Sequence, residues 1–494
     1  MLVLPLRRRG EARNQCDDED CGPAMHGEAK ATATCEITPV IELRAGANQE
    51  GQGELRATLS LALPVVLVQV GWMLMGVIDT MMVGRISPTV LAAVALGSLY
   101  FFNVTVLAMG TLLALDPLVS HALGAGDSAS VRRNVQRGMV LSVVLAVVCV
   151  LLMVPCRALF ERFHQPVDVV PLAVSYVHIS IIGVWPLLAF GVLRQTLQAH
   201  GRIAPIVWTM VLANILNAAL NWVFVYGHLG SPPLGAAGSA MATVIARWSM
   251  LGGLLLMARG ELSSYLSPFA REAFDAAPLR RMLSLGLPIG LQQTLEVTAF
   301  NTVGLLMGVF GTAPLSAHQI AIMMAALTFM VPLGVAAAAS VRVGLAVGRN
   351  DRVAARAAAR SSVIVGVGFM TCTALAFLLA PAPIARMFTR DADVLKVAVL
   401  LIPVAGVFQV FDGLQSVSAG VLRGLGDTRA PLVGMLSAYW FIGIPTSVWL
   451  GFHTSLGPVG LWWGFVAGLA SVALFLTWRI RRLFRREFRR VSID

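Results

Sequence analysis

The chain has 494 residues, 57% of them hydrophobic and only 13% charged, with a mean hydropathy of +0.77. A soluble protein carries about 25% charged residues, so a water-soluble globule is excluded. Apolar runs of about 20 residues recur, each long enough to cross a bilayer as helix, and they are continuous instead of alternating, which excludes a β-barrel. The net charge of +11 is uneven: residues 1–56 hold seven Lys/Arg against ten Asp/Glu, and the remainder holds 30 against 16. Arg-rich loops facing anionic lipid account for that balance, so no nucleic-acid partner is expected.

Residues 1–54 are polar, mixed in charge and rich in Gly and Ala, and read as a disordered cytoplasmic tail. Cys16 and Cys21 flank the acidic run Asp17–Asp20, but no second pair follows at zinc spacing, so no metal site is expected there. Met1–Leu6 is too short for a signal-peptide core and precedes Arg7, Arg8 and Arg9 where it would have to follow them. A translation start further on, for instance at Met25, is an expectation that intact mass would test.

From residue 57 the pattern predicts twelve spans, at 57–78, 90–118, 138–157, 167–193, 203–226, 234–258, 283–310, 315–341, 361–380, 393–420, 431–452 and 458–478. The loops and span ends on one side carry 23 arginines, from Arg132 to the seven that follow Trp478, against six Lys/Arg on the other. The positive-inside rule then places both termini in the cytoplasm. The C-terminal run RIRRLFRREFRR, which includes Glu487, reads as a basic helix on the membrane surface.

An internal repeat is visible at an offset of 224. Leu61-Ala62-Leu63-Pro64 matches Leu285-Gly286-Leu287-Pro288, and Gly124, Asp127 and Arg132 match Gly348, Asp351 and Arg356. Each repeat holds six helices, an even number, so the halves share one orientation and are related by an axis along the membrane normal. The expected fold is an all-α polytopic membrane protein: twelve transmembrane helices in two six-helix lobes with pseudo-twofold symmetry. The expected boundaries are a tail at 1–54, an N-lobe at 55–258, a cytoplasmic linker at 259–282, a C-lobe at 283–478 and a basic tail at 479–494.

Of the 26 acidic residues, apart from Asp168 and Asp393 at span starts, only Asp116, Glu296 and Asp412 fall within the spans, and Asp79 lies one residue past the end of the first. A carboxylate at bilayer depth costs about 2.5–3.5 kcal/mol on insertion scales, so each is a functional-site hypothesis. Glu296 and Asp412 are near the centres of helices 7 and 10. Two carboxylates sharing a dry cavity cannot both stay ionised without a cation, so such a pair holds a proton, a sodium ion or a cationic ligand. Sodium wants several oxygens, and Gln292, Gln293, Thr294, Asn301 and Gln409 are nearby candidates. In helix 5, Asn214, Asn217 and Asn221 share one face, where each is a cavity residue or interhelical glue. Asp79 closes helix 1 as a cap or as a second coupling acid. Asp116 reads as an acid paired with an arginine, and Arg247 in helix 6 as a snorkelling or acid-paired side chain. His318 is a packed histidine or part of a proton relay.

The patterns LALP, MGVIDTMMVGR and LAAVALG, with GLPIGLQQTLEVTAF, GTAPLSAHQIA, FQVFDGLQSVSAGVLRGLGDTRAP and NAALNWVFVYG, resemble the multidrug and toxic compound extrusion (MATE) transporters, in particular their NorM-type branch. The resemblance spans residues 57–478. It implies a bacterial inner-membrane antiporter that exports organic cations and drugs against Na⁺ or H⁺, with no cofactor beyond the coupling ion and with membrane lipids as its surroundings. Glu296 and Asp412 fall on the C-lobe coupling acids, which would also be the Na⁺ ligands. Asp79 falls on the helix 1 acid implicated in proton coupling, and Asn217 and Asn221 on the polar pair beside it. In the DinF-type branch the second of that pair is an aspartate; Asn221 here favours the C-lobe site. Asp116 matches no family role. A monomer is expected, because two lobes of one chain can form the cavity. A lipid-linked oligosaccharide flippase is the alternative, and such proteins usually carry basic cavities. A membrane-embedded enzyme would need a clustered His/Asp or Ser/His arrangement within the spans, and none appears at helical spacing.

Overall fold

The computed structural model describes residues 50–485 and 490–492, and all regular structure among them is helical. Twelve long helices follow one another. α1 is Glu50–Val83; α2 is Pro88–Leu112, continued by Leu115–Gly124; α3 is Ser128–Met153. α4 runs from Val170–Ser180 through a tight turn into Val184–Ala199; α5 is Ala204–Tyr226 and α6 is Ala236–Met257. α7 is Ala276–Val309, α8 Thr312–Gly348, α9 Arg352–Leu379 and α10 Ala392–Gly424. α11 joins Arg429–Met435 and Ile444–Phe452 through a π-helical segment, Leu436–Gly443; α12 is Pro458–Leu483. All twelve predicted spans are present, with most ends running further than the hydropathy pattern suggested.

Eleven of these helices are long and apolar enough to cross a membrane by composition alone, and α7 is not among them. Its 34 residues are ample. Gln292, Gln293, Glu296 and Asn301 dilute its hydropathy, so the helix that carries the expected site is the one the membrane criterion passes over. Side chains such as Leu151, Leu305 and Leu379 are exposed on the bundle surface, as lipid-facing residues must be.

The repeat is built into the backbone. Asp127 and Asp351, 224 residues apart, both cap helices: Asp127 accepts from the Ser130 N–H at 3.0 Å, and Asp351 from Val353 and Ala354 at 3.0 and 2.9 Å. Gly235 and Gly457 precede α6 and α12 with φ of 55° and 53°, a conformation that glycine alone adopts cheaply. Pro64 and Pro288 occupy equivalent interior positions of α1 and α7.

Three expected boundaries shift. α1 begins at Glu50, inside the stretch expected to be tail; the rest of that tail, with its cysteines, lies outside the described residues. The linker at 259–282 is ordered, with a short helix Arg259–Leu266 and a turn Arg271–Phe274, and α7 already starts at Ala276. The C-terminal run is not one surface helix: α12 ends at Leu483, Glu487 lies outside the described residues, and Arg490–Ser492 is non-helical. Arg490 pairs with Asp127 at 2.9 Å, and the Val491 N–H donates to His121 Nδ1 at 3.1 Å. A continuous amphipathic helix would have carried both residues past these partners.

The two halves meet along a seam that runs from mid-helix to the ends nearest the Arg-rich loops. α2 crosses α7 at Gly110 and Gly290, where a Cβ on Gly110 would lie 2.6 Å from the Gly290 Cα. α1 crosses α8 at Val66 and Gly334. Small residues let these backbones close in, as membrane helices require in place of a hydrophobic driving force. Polar contacts reinforce the seam. Asp116 pairs with Arg423 at 3.3 Å, the His121 Nε2 lies 2.8 Å from the Gly424 carbonyl, and Thr58 meets Ser361 at 2.9 Å. Arg342 binds the Glu54 carboxylate and the Thr58 hydroxyl. The arginine expected beside Asp116 is therefore Arg423, from the other half of the chain.

Candidate functional site

The site lies beyond the seam, away from the Arg-rich loops, and begins on α7. Three threonines spaced by four residues tie their hydroxyls to their own helix: Thr294 to the Gly290 carbonyl, Thr298 to Thr294 and Thr302 to Thr298, at 2.7–2.9 Å. Glu296, on the same helix, is half-buried and accepts from Gln415 Nε2 of α10 at 3.3 Å. Asp412 lies one turn before Gln415 and is 4% exposed, and its Oδ1 has no hydrogen-bond partner among the described residues. The two carboxylates are within electrostatic reach of each other and of the buried Tyr439 hydroxyl, from the π-helical segment of α11.

The composition of this cluster decides what it can hold. Asp412 Oδ1, Gln415 Oε1 and the Tyr439 hydroxyl are buried oxygens without a partner among the described residues. Buried polar atoms are satisfied in the great majority of cases, so three orphans, one of them on a carboxylate of the pair, need a reason. No cationic side chain neutralises the pair: Glu296 is bonded by an amide, and among the described residues neither acid forms an ion pair. Phe408 stacks on Phe465 at 5.3 Å and meets Trp462 edge-on at 5.5 Å, and the three rings keep that flank apolar. Oxygens facing two acids in an apolar setting fit a proton or a hard monovalent cation.

Asp79 is held in the opposite way. Its Oδ1 accepts from Asn217 Nδ2 at 3.1 Å and Asn221 Nδ2 at 2.6 Å, and its Oδ2 from the Thr243 hydroxyl at 2.7 Å. Three neutral donors stabilise this carboxylate without a bound cation, and Arg247 is within electrostatic reach of it. The Arg247 guanidinium also stacks 4.2 Å above the Phe101 ring. Asn214, the third member of the helix 5 face, turns back to the Met210 carbonyl at 2.9 Å and leaves Asp79 to its neighbours.

The other candidates separate on contact. Gln409 is buried but accepts from Thr328 and Thr373, at 2.5 and 3.2 Å, and bonds neither carboxylate. Gln293 packs its amide oxygen toward Gly110 at the α2–α7 crossing, so it belongs to the seam. Gln292 is buried one turn before Glu296, and Asn301 is exposed. His318 packs against Trp462 at 5.7 Å, and no described contact joins it to either acid. The structure thus groups Glu296 with Asp412, and Asp79 with Asn217 and Asn221. Thr243, Gln415 and Tyr439 join these groups, and their only sequence signal is a polar tip inside an apolar run.

Sequence and structure comparisons agree on kinship. The sequence model of the MatE family matches residues 64–223 and 288–449, one stretch in each half. The chain is 37% identical over 429 residues to the multidrug resistance protein NorM of Burkholderia vietnamiensis, covering 85% of this chain and 92% of that relative. It is 38% identical over 442 residues to the probable multidrug resistance protein NorM of Rhizobium meliloti strain 1021, covering 87% and 94%. The fold superposes on the crystal structure of the eukaryotic MATE transporter AtDTX14 with a TM-score of 0.80 at 22% identity, over 87% of this chain and 96% of that one.

Proposed function

The chain belongs to the MatE family, and from that membership and the geometry of its acids we infer that it is a secondary active multidrug efflux transporter. It exchanges organic, mostly cationic compounds for Na⁺ or H⁺ by alternating access. One observation carries the reading: Glu296 and Asp412 lie deep in their helices, within each other's field and, among the described residues, with no cationic side chain paired to either. Two acids so placed are a site that is incomplete without an exchangeable cation. The relatives named as multidrug resistance proteins support drugs as the cargo. Carboxylates, not arginines, line the C-lobe site, and nothing favours a lipid-linked oligosaccharide flippase.

The seam supports the transport cycle. Described contacts between the halves run from mid-helix to the ends near the Arg-rich loops, as in a state closed toward the cytoplasm and open toward the outside. In that state the coupling cation reaches Glu296 and Asp412 from outside. Its binding disfavours the drug, and linkage makes the opposition mutual. Rocking of the halves breaks the seam and presents the emptied site to the cytoplasm. The 23-to-6 bias of basic residues supports cytoplasmic termini, and the bacterial relatives support the inner membrane. The chain works as a monomer.

Proteoliposomes loaded with a fluorescent cationic drug test the reading. Exchange driven by an imposed sodium gradient at equal pH, or by a pH gradient without sodium, supports it and separates the two ions. Drug movement that follows neither gradient overturns it.

A further inference from the structure

Tyr439 belongs to none of the sequence motifs that mark the family resemblance, yet the fold delivers it to the acids. Pro445 lacks an N–H, so the helical bond to Phe441 cannot form. Nearby, the Ile444 N–H reaches five residues back to the Tyr439 carbonyl. This widened turn is the π-helical segment Leu436–Gly443, a feature that often accompanies functional sites. It holds Tyr439 fully buried, its ring 5.4 Å from that of Phe465. Gln415 Nε2 lies 3.6 Å from the Met435 sulfur, one turn before Tyr439 on the same helix, so the amide and the phenol approach the acids together.

A buried tyrosine usually finds a partner for its hydroxyl. Here the hydroxyl has none among the described residues, and its electrostatic neighbours are Glu296 and Asp412. A proton needs one acceptor, and a carboxylate supplies it. A dehydrated sodium ion needs several oxygens, and the orphans supply them: Asp412 Oδ1, Gln415 Oε1 and the Tyr439 oxygen, with Glu296 opposite. Two of these are neutral, so they add ligands without adding negative charge to a dry pocket. We propose that Tyr439, with Gln415, is a ligand of a sodium ion held by Glu296 and Asp412, and that these neutral oxygens make the site select sodium over the proton. This rests on the efflux reading above and specifies its coupling ion.

Tyr439→Phe removes only the hydroxyl. A hydroxyl without a protein partner contributes nothing to the sodium-free fold, so the variant should melt at or above the wild-type temperature in choline chloride. Added sodium, but not potassium, should raise the wild-type Tm, and the half-saturating sodium concentration should be at least about tenfold higher in Tyr439→Phe, the loss typical of a removed metal-site partner. Gln415→Met should shift it the same way. If Tyr439→Phe follows the wild-type sodium curve, or fails to fold, the ligand role is overturned. If wild-type Tm ignores sodium while pH-driven drug efflux persists in the same preparation, the sodium site is overturned and the efflux reading stands. If neither gradient moves drug, the efflux reading fails on its own account.

Discussion

Replacing Arg423 by Met tests whether the seam is a latch. Asp116 is 5% exposed and Arg423 12%, and they meet at 3.3 Å across the halves. Removing one partner of a buried pair costs about 3–5 kcal/mol, because the other charge stays buried and alone. Arg194 is within electrostatic reach of Asp116 and shares the load, which points to the lower end, about 3 kcal/mol. The pair forms only when these ends are closed, so the cost falls on that state alone. At about 1.4 kcal/mol per tenfold, the opened state should gain roughly 100-fold in relative population. Ser340 is fully buried near Asp116 and offers a reporter. In a cysteine-free background, Ser340→Cys in inverted vesicles should react with a membrane-impermeant maleimide about 10–100-fold faster once Arg423→Met is added. Adding Asp116→Leu removes the stranded charge and should restore slow labelling. A rate within twofold of the parent, with protein properly inserted, would refute the latch.

Other consequences are equally direct. Gly290→Ala would push a Cβ into the Leu107 carbonyl and to 2.7 Å from the Thr111 hydroxyl, and overpacking of this kind costs about 1–3 kcal/mol; detergent Tm should fall, and an unchanged value would mean the crossing is loose. Thr243→Val deletes the only described donor to Asp79 Oδ2 and should cost about 1–3 kcal/mol, read as lower Tm, with Thr243→Ser retaining most of it. Asp127→Ala should cost about 0.5–2 kcal/mol by uncapping α3, whereas Asp127→Asn keeps the cap and loses only the Arg490 contact. Hydrogen bonds from the Ser130 N–H and hydroxyl, with Arg490, hold the Asp127 carboxyl down at about 2. A depressed group stabilises above its unfolded value and loses that contribution as pH falls through the folded one, so Asp127 and Asp127→Asn proteins should differ equally at pH 7 and pH 5 and converge only below about 4.

What the sequence made legible follows from what repeats along a helix. Apolar runs mark a span, and a lone acid such as Glu296 or Asp412 stands out against them. The Pro64/Pro288 and Asp127/Asp351 pairs showed the two halves, because a helix cap is local and keeps its spacing. Partner choice across helices left no such trace. Asp116 finds Arg423 some 307 residues away, and Thr243 reaches Asp79 across 164. Tyr439 sits in LSAYWFIG, a run whose composition reads only as membrane. Gln409 and Gln293 show the converse: each stands three residues before an acid, yet they bond Thr328 and Thr373 or pack at the seam, because a shared helix face does not fix which neighbouring helix a side chain meets.

The central claim is that Glu296 and Asp412 carry the coupling cation. Drug efflux from energised cells expressing Glu296→Gln or Asp412→Asn at wild-type levels tests it most directly. Both substitutions keep size and hydrogen bonding while removing the charge that holds the cation, so the account predicts loss of gradient-driven efflux in each while drug binding to the purified protein persists. Full drug resistance in both variants would contradict it.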